Sequence, residues 1–189
     1  ILFYSILSIL TIIIIVFFLY ISIKEKREKL LVESYIEAKI FIEHNQREKA
    51  KEVLKTIIES KHKTYSPLSF FLLLSEDLIT DDAELSIFFN NLLENNKIDK
   101  EIKNLIIFKQ ALFHSNFSNE SELLKIINPL LNKETIWKPH ALLLMGDYFA
   151  SKKEYSKAKE FYTQIFSIKN LNIDFYKKAR SQLAIVSNE

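Results

Sequence analysis

One apolar spacing, i, i+3, i+4, i+7, i+8, occurs four times along this chain. It appears as Ala50, Val53, Leu54, Ile57 and Ile58, and again as Leu85, Phe88, Phe89, Leu92 and Leu93. It returns as Leu123, Ile126, Ile127, Leu130 and Leu131, and finally as Ala158, Phe161, Tyr162, Ile165 and Phe166. Each set lines one face of an α-helix. Their starting positions lie 35, 38 and 35 residues apart, and a stripe returning at so steady an interval predicts an internal repeat. A partner helix is expected before each stripe, carrying a small residue 12, 10, 12 and 12 positions ahead of it: Ala38, Ser75, Ala111 and Gly146. A small residue where two helices cross lets their backbones approach. Gly146 is the extreme case and the only glycine in the chain. Glycine within a helix costs about 1 kcal/mol against alanine, so close packing around Leu142, Met145 and Phe149 has to offset that loss. Apolar helical spacing continues past Gly146 to Phe149, which argues against a helix end at the glycine.

Polar turns between the stripes support this division. Asp81 with Glu84, and Asn119 with Glu122, have the spacing of helix-capping boxes. Pro67 and Pro139 stand where helices can begin. Pro129 falls inside the third stripe and is expected to kink or shorten its helix. A last amphipathic stretch, with Phe175, Ala179, Leu183 and Val186 inward and Lys177, Lys178 and Arg180 facing away, is expected to cap the array. The pattern therefore predicts an all-α fold. Residues 34–189 form a solenoid of helical hairpins, about four pairs plus a C-terminal capping helix.

The first segment follows another rule. Residues 1–23 contain no charged side chain. As a helix they would extend about 35 Å, enough for a hydrocarbon core of about 30 Å. Tyr4 and Tyr20 lie near its ends, where amphipathic rings favour the interface. The expectation is a single transmembrane helix in contact with lipid, followed by a charged helical lead-in over residues 24–33. That lead-in opens with Lys24, Glu25, Lys26, Arg27, Glu28 and Lys29. Positive flanks favour the cytoplasmic side, which argues mildly for a domain facing the cytosol.

Composition narrows the chemistry. With one glycine and no cysteine, phosphate-binding glycine loops, thiolate catalysis and cysteine-based metal sites have no residues to use. A net charge of +2, with charged runs of mixed sign, does not suggest a nucleic-acid partner. His44, His62, His114 and His140 lack the spacing of a zinc-binding helix, and no serine sits in a nucleophile elbow. His44 and His62 read as exposed turn residues, His114 and His140 as partly buried ones. No catalytic, metal or cofactor residue is expected, and no small-molecule substrate.

The stretch from Met145 to Phe166 resembles a tetratricopeptide repeat. It has Gly146, an aromatic at Phe149, Ala158 twelve residues after the glycine, and an aromatic at Tyr162. Ala38, Phe41 and Ala50 match the same motif more loosely, with Leu54 in place of the second aromatic. A single N-terminal span, a charged lead-in and a short degenerate array together resemble the membrane-anchored ancillary subunits of the bacterial Sec translocon. The segment from Ile127 to Phe149 is similar to that family's Pro-Leu-Leu, Trp and Ala-rich stretch. The likeness implies an inner-membrane protein with a periplasmic helical domain. Its partners would be translocon subunits, a membrane-anchored periplasmic chaperone and unfolded secreted clients. Other scaffolds share this build, so a cell-envelope assembly or division scaffold and a cytoplasm-facing adaptor stay open.

In such an array the first helix of each pair lines the concave face. The positions flanking each small residue there are Tyr35, Lys39 and Ile42, then Leu72 and Glu76, Phe108 and Leu112, and Leu143 and Asp147. A clamp for a peptide carboxylate needs converging Lys, Arg or Asn, and Lys39 alone qualifies. So apolar a face suits a hydrophobic helix or an unfolded segment.

Overall fold

The computed structural model describes the backbone of residues 2–188 and the side chains of residue 10 and residues 12–188. Among them there are nine helices and no strand: α1 (Leu2–Glu43), α2 (Arg47–Glu59), α3 (Tyr65–Ser75), α4 (Asp82–Glu94), α5 (Lys100–His114), α6 (Glu120–Leu131), α7 (Lys138–Ser151), α8 (Tyr155–Ile165) and α9 (Ile173–Ser187). Close contacts divide the chain into two units, one up to Leu85 and one from Ser86 on. In the first, α1 packs on α2, α2 on α3, and α1 also on α3. In the second, each helix from α5 to α9 packs on the next, and the alternate helices α5, α7 and α9 also meet. Hairpins stacked side by side produce this pattern of neighbour and next-but-one contacts.

With no Gly or Pro before Pro67, nothing in α1 interrupts the backbone ladder, and the helix runs unbroken from Leu2 to Glu43. The expected span, lead-in and first repeat helix are one continuous helix, so the divisions after residues 23 and 33 are not breaks in structure. The side chains of residues 1–9 and 11, which carry much of the expected span, lie outside the described residues. Among the described residues, no helix is long and apolar enough to cross a membrane. Leu10, Ile12 to Tyr20, and Ile23 are 46–66% exposed.

All four stripes are buried or half-buried, with Leu54, Phe89, Leu123, Ile127 and Tyr162 at 0–2% exposure. Ala38, Ala50, Ala111 and Ala158 are fully buried. Ser75 corrects the small-residue series. It is exposed at the last turn of α3, where its hydroxyl donates to the Leu72 carbonyl at 3.1 Å. The buried small residues of α3 are Ser66, whose hydroxyl donates to the Ile57 carbonyl of α2 at 2.9 Å, and Ser69. Helix α3 is apolar on nearly every face (YSPLSFFLLLS), so its sequence carries no period from which its packed side could be read.

The caps follow the sequence. Asp81 Oδ1 accepts from the Ala83 and Glu84 amides at 2.8 and 3.0 Å, and Asn119 Oδ1 from the Glu122 amide at 3.0 Å. Glu84 itself turns to Lys55 of α2, 2.6 Å away. Pro67 and Pro139 lie in the first turns of α3 and α7. α6 passes through Pro129 and ends two residues later at Leu131, so the proline sits in the last turn and shortens the helix.

Because glycine is almost absent, other residues take the left-handed conformation: Asn45, Lys61, Asp77 and Lys153 just past helix ends and Asn170 in the α8–α9 turn, with φ from 54° to 62°. At Lys153 the pattern is a Schellman motif. The Glu154 amide donates to the Phe149 carbonyl at 2.9 Å and the Lys153 amide to the Ala150 carbonyl at 3.0 Å. A left-handed L-residue costs about 1–2 kcal/mol that glycine avoids. Lys153→Gly is therefore expected to raise stability by about 1 kcal/mol, a gain of roughly 3 °C in Tm. Thermal unfolding followed by circular dichroism checks this, and a lower Tm would contradict it.

Candidate functional site

In the unit from Ser86 on, three helices converge on one groove. α5 follows Asp99, whose carboxylate caps the Glu101 amide at 2.8 Å, and contributes Phe108 and Leu112 on one side. α7 begins after Trp137, with Pro139 in its first turn, and contributes His140, Leu143, Leu144 and Asp147 at helical spacing. α9 is capped by Asn172, which accepts from the Asp174 amide at 2.7 Å, and contributes Asp174, Phe175 and Lys178. The groove has a volume of about 330 Å³.

Four of the nine candidate residues, Phe108, Leu112, Leu143 and Asp147, line this groove together. Leu143 is buried in its floor, while Leu112 stands 42% exposed at its edge. The other five belong to the unit up to Leu85 and do not line it. Tyr35 packs against Tyr65, ring centroids 6.0 Å apart, and burial with the neighbouring Tyr65 raises its pKa. Lys39 is exposed, and Ile42 and Leu72 are half-buried on α1 and α3. Glu76 closes α3, and its backbone carbonyl accepts from the Arg47 guanidinium, which also reaches the Asp77 carbonyl at 3.1 Å.

Lys178 requires a second correction. Instead of facing away with Lys177 and Arg180, it lines the groove. Phe175 likewise lines it while packing against His140, ring centroids 4.5 Å apart. The sequence held a signal for both, since 174, 175 and 178 form one edge of α9. Treating α9 only as a cap hid that edge.

One end of the groove is aromatic. Trp137 stacks on Phe108 at 5.8 Å and lies 4.8 Å from the His140 ring, which stands 5.4 Å from Phe108. Among the described residues, the buried Trp137 Nε1 and His140 Nδ1 have no hydrogen-bond partner. At the other end the Tyr162 hydroxyl donates to Asp147 Oδ1 at 2.7 Å. Burial, then this carboxylate, raises the Tyr162 pKa, so the phenol stays protonated and holds Asp147 as an acceptor. Asp147 therefore comes to the groove with one oxygen already engaged.

Burial lowers the His140 pKa, and the nearby Lys178 charge adds to this, while the Ile136 carbonyl works the other way. The folded state then takes up a proton less readily than the unfolded chain, whose histidine titrates near pH 6.5. Stability from this group is complete above that pH and falls as pH drops toward the lower folded value. The loss cannot exceed about 1.4 kcal/mol per pH unit. Acidification from neutral to about pH 5 is expected to lower the stability of the wild type more than that of His140→Phe. Parallel pH slopes for the two proteins in urea unfolding would remove His140 as the cause.

The remaining histidines are structural. His44 Nδ1 meets the Ile40 carbonyl at 2.8 Å in the exposed α1–α2 turn, and His114 Nδ1 meets the Ser118 hydroxyl at 3.0 Å. His62 is more than an exposed turn residue: its Nδ1 accepts from the Thr64 and Tyr65 amides at 3.2 and 3.1 Å. It thereby caps α3. Among the described residues, no three His, Asp or Glu side chains come together in a way that could hold a metal ion.

No protein-family model, no curated protein and no solved structure matches the chain.

Proposed function

We propose that this chain is a membrane-anchored scaffold that works by binding protein segments in the groove between α5, α7 and α9. The observation that carries this reading is the origin of the groove. Its walls are the first helices of two successive hairpins and the terminal helix, and its lining is mainly leucine and aromatic. A concave face of that make-up suits an apolar helix or an unfolded segment. The single imidazole there has no carboxylate paired to its Nδ1, and Asp147 is engaged by Tyr162. These residues fit positioning and packing better than acid–base chemistry.

The hairpins are a degenerate tetratricopeptide-like array on this reading. Gly146 under the Tyr162 ring and the fully buried Ala38, Ala50, Ala111 and Ala158 support it. Membrane anchoring by residues 1–23 is supported by their lack of charge and by the exposure of the described apolar side chains from Leu10 to Ile23. So long a run of exposed apolar side chains is unfavourable in water. Together with the sequence resemblance, these features favour an accessory role at the Sec translocon of a bacterial inner membrane, with the helical domain in the periplasm and secreted chains or a periplasmic chaperone as partners.

The basic flank at Lys24, Lys26, Arg27 and Lys29 favours a second reading, a cytoplasm-facing adaptor. Protease digestion of spheroplasts separates the two, since only a periplasmic domain is cut while the inner membrane is intact. A photo-crosslinking residue at Leu112 then tests the partner. Adducts with translocon subunits or secreted chains, absent when the same residue replaces exposed Lys125, are the expected result. Adducts confined to other envelope proteins would end the translocon reading.

A further inference from the structure

From the level of the first helix contacts we infer that the α2–α3 turn is a second membrane contact, held by its lysines against anionic phospholipid headgroups. The inference rests on the reading of residues 1–23 as a membrane span. α1 leaves that span without a hinge. Five residues after Ile23, Glu28 already faces the rest of its unit, its Oε1 lying 3.9 Å from His62 Nε2. Five helical residues rise about 7.5 Å. The turn that carries His62 is therefore held within roughly a Debye length, about 8 Å, of the headgroups.

The hairpin directions agree with this height. The α1–α2 turn follows Glu43 at the far end of α1, and α2 runs back from there to Glu59. The chain between α2 and α3 must therefore return to the level of Glu28. Tyr65, the first residue of α3, does so against Tyr35, while the far end of α3 is met by Arg47 at the start of α2. Lys61 and Lys63 are exposed on this near turn, flanking His62. Exposed Lys24, Lys26, Arg27 and Lys29 surround α1 beside it. The nearby carboxylates are Glu25, Glu28, Glu33 and Glu59, of which Glu33 lies a turn further from the span and is 3.9 Å from Lys29. The cations lead on the side nearest the bilayer. Lysines at that height are attracted by anionic lipid, and the attraction disappears beyond a Debye length. With the near turn held down and α1 unbroken, the unit up to Leu85 would stand at a fixed height and orientation on the bilayer.

The chain has no cysteine, so one introduced thiol reports one place. The full chain carrying Thr64→Cys, spin-labelled, is reconstituted in nanodiscs of phosphatidylcholine alone or mixed with phosphatidylglycerol. Relaxation by nickel chelated to lipid headgroups is read in each. Relaxation about twofold stronger in the anionic discs is expected, falling to the neutral level in high salt or with Lys61→Glu and Lys63→Glu. A label at Glu48→Cys, beyond the far turn, is expected to give no enhancement in either lipid. Equal relaxation at Thr64→Cys in both lipids, or no effect of the two charge reversals, overturns the headgroup contact while leaving the anchor standing. A chain that alkaline carbonate strips from the bilayer overturns the anchor, and the contact with it.

Discussion

Replacing Gly146 by alanine is expected to destabilise the unit from Ser86 on by about 2 kcal/mol, although helix propensity alone favours alanine by about 1 kcal/mol. The backbone at Gly146 has an ordinary helical φ, so conformational freedom is not the reason for the glycine. Space is the reason. A Cβ at this position would lie 2.6 Å from Cδ1 and 2.8 Å from Cζ of the Tyr162 ring, inside any tolerated contact. The ring cannot swing aside cheaply, because it is fully buried and its hydroxyl is held by Asp147. Overpacking of this kind costs about 3 kcal/mol, which outweighs the propensity gain. Urea unfolding measures the difference. A Gly146→Ala protein more stable than wild type would show that the α7–α8 crossing has room to spare. The paired test is Tyr162→Leu, which costs stability alone but removes the ring. Alanine at 146 is then expected to become neutral or favourable, a coupling of about 2 kcal/mol between the two sites. The contact reaches the groove as well, since a displaced Tyr162 releases Asp147 from its wall.

This contact shows what the sequence could convey and what it could not. The lone glycine in an apolar helix announced a close crossing, and its twelve-residue offset from Ala158 pointed to the following helix. Which side chain covered it could not be read, because Leu142, Met145 and Phe149 are near in sequence while Tyr162 arrives from α8. The stripes were legible because each second helix has one apolar face among charges, as in REKAKEVLKTIIE of α2. α3 has no such contrast, and there the small residue was misplaced at Ser75. The left-handed ends at Lys61 and Lys153 were illegible for a related reason: glycine is the usual signal for that conformation, and this chain does not use it there.

The groove was half legible. Positions flanking the small residues of α5 and α7 led to Phe108, Leu112, Leu143 and Asp147, because adjacent first helices must share a face once their hairpins stack. Trp137 and His140 were missed because they precede Gly146 by nine and six residues, outside the positions flanking it. Trp137 reaches the site through its stack on Phe108 and its contact with the His140 ring, whereas His140 lies one turn before Leu143 and Leu144 on the groove face of α7. The α9 wall was missed because Lys178 reads as a solvent residue, yet its long stem can line an apolar groove while its charge stays wet.

Leu112→Asp is expected to weaken binding of an apolar helical peptide at least about tenfold while leaving the fold intact. Leu112 is 42% exposed at the edge of the groove, so a carboxylate there stays hydrated in the free protein and costs little stability. A bound apolar segment would strip that hydration. It would also forgo burial against leucine, a contact worth about 1.5–3 kcal/mol when complete. Either effect exceeds the 1.4 kcal/mol that corresponds to about tenfold in affinity. The protein supplies its own reporter, because Trp137 is its only tryptophan and stacks on Phe108 at the groove's aromatic end. Peptide titration is expected to change Trp137 emission in wild type and to need a far higher concentration in Leu112→Asp. Lys125→Asp, on α6 and outside the groove, is expected to titrate as wild type does. If Leu112→Asp and wild type bind alike while Trp137 still responds, the apolar segment sits elsewhere on this unit. If Trp137 does not respond to any apolar peptide, the groove is packing between α7 and α9 rather than a binding surface.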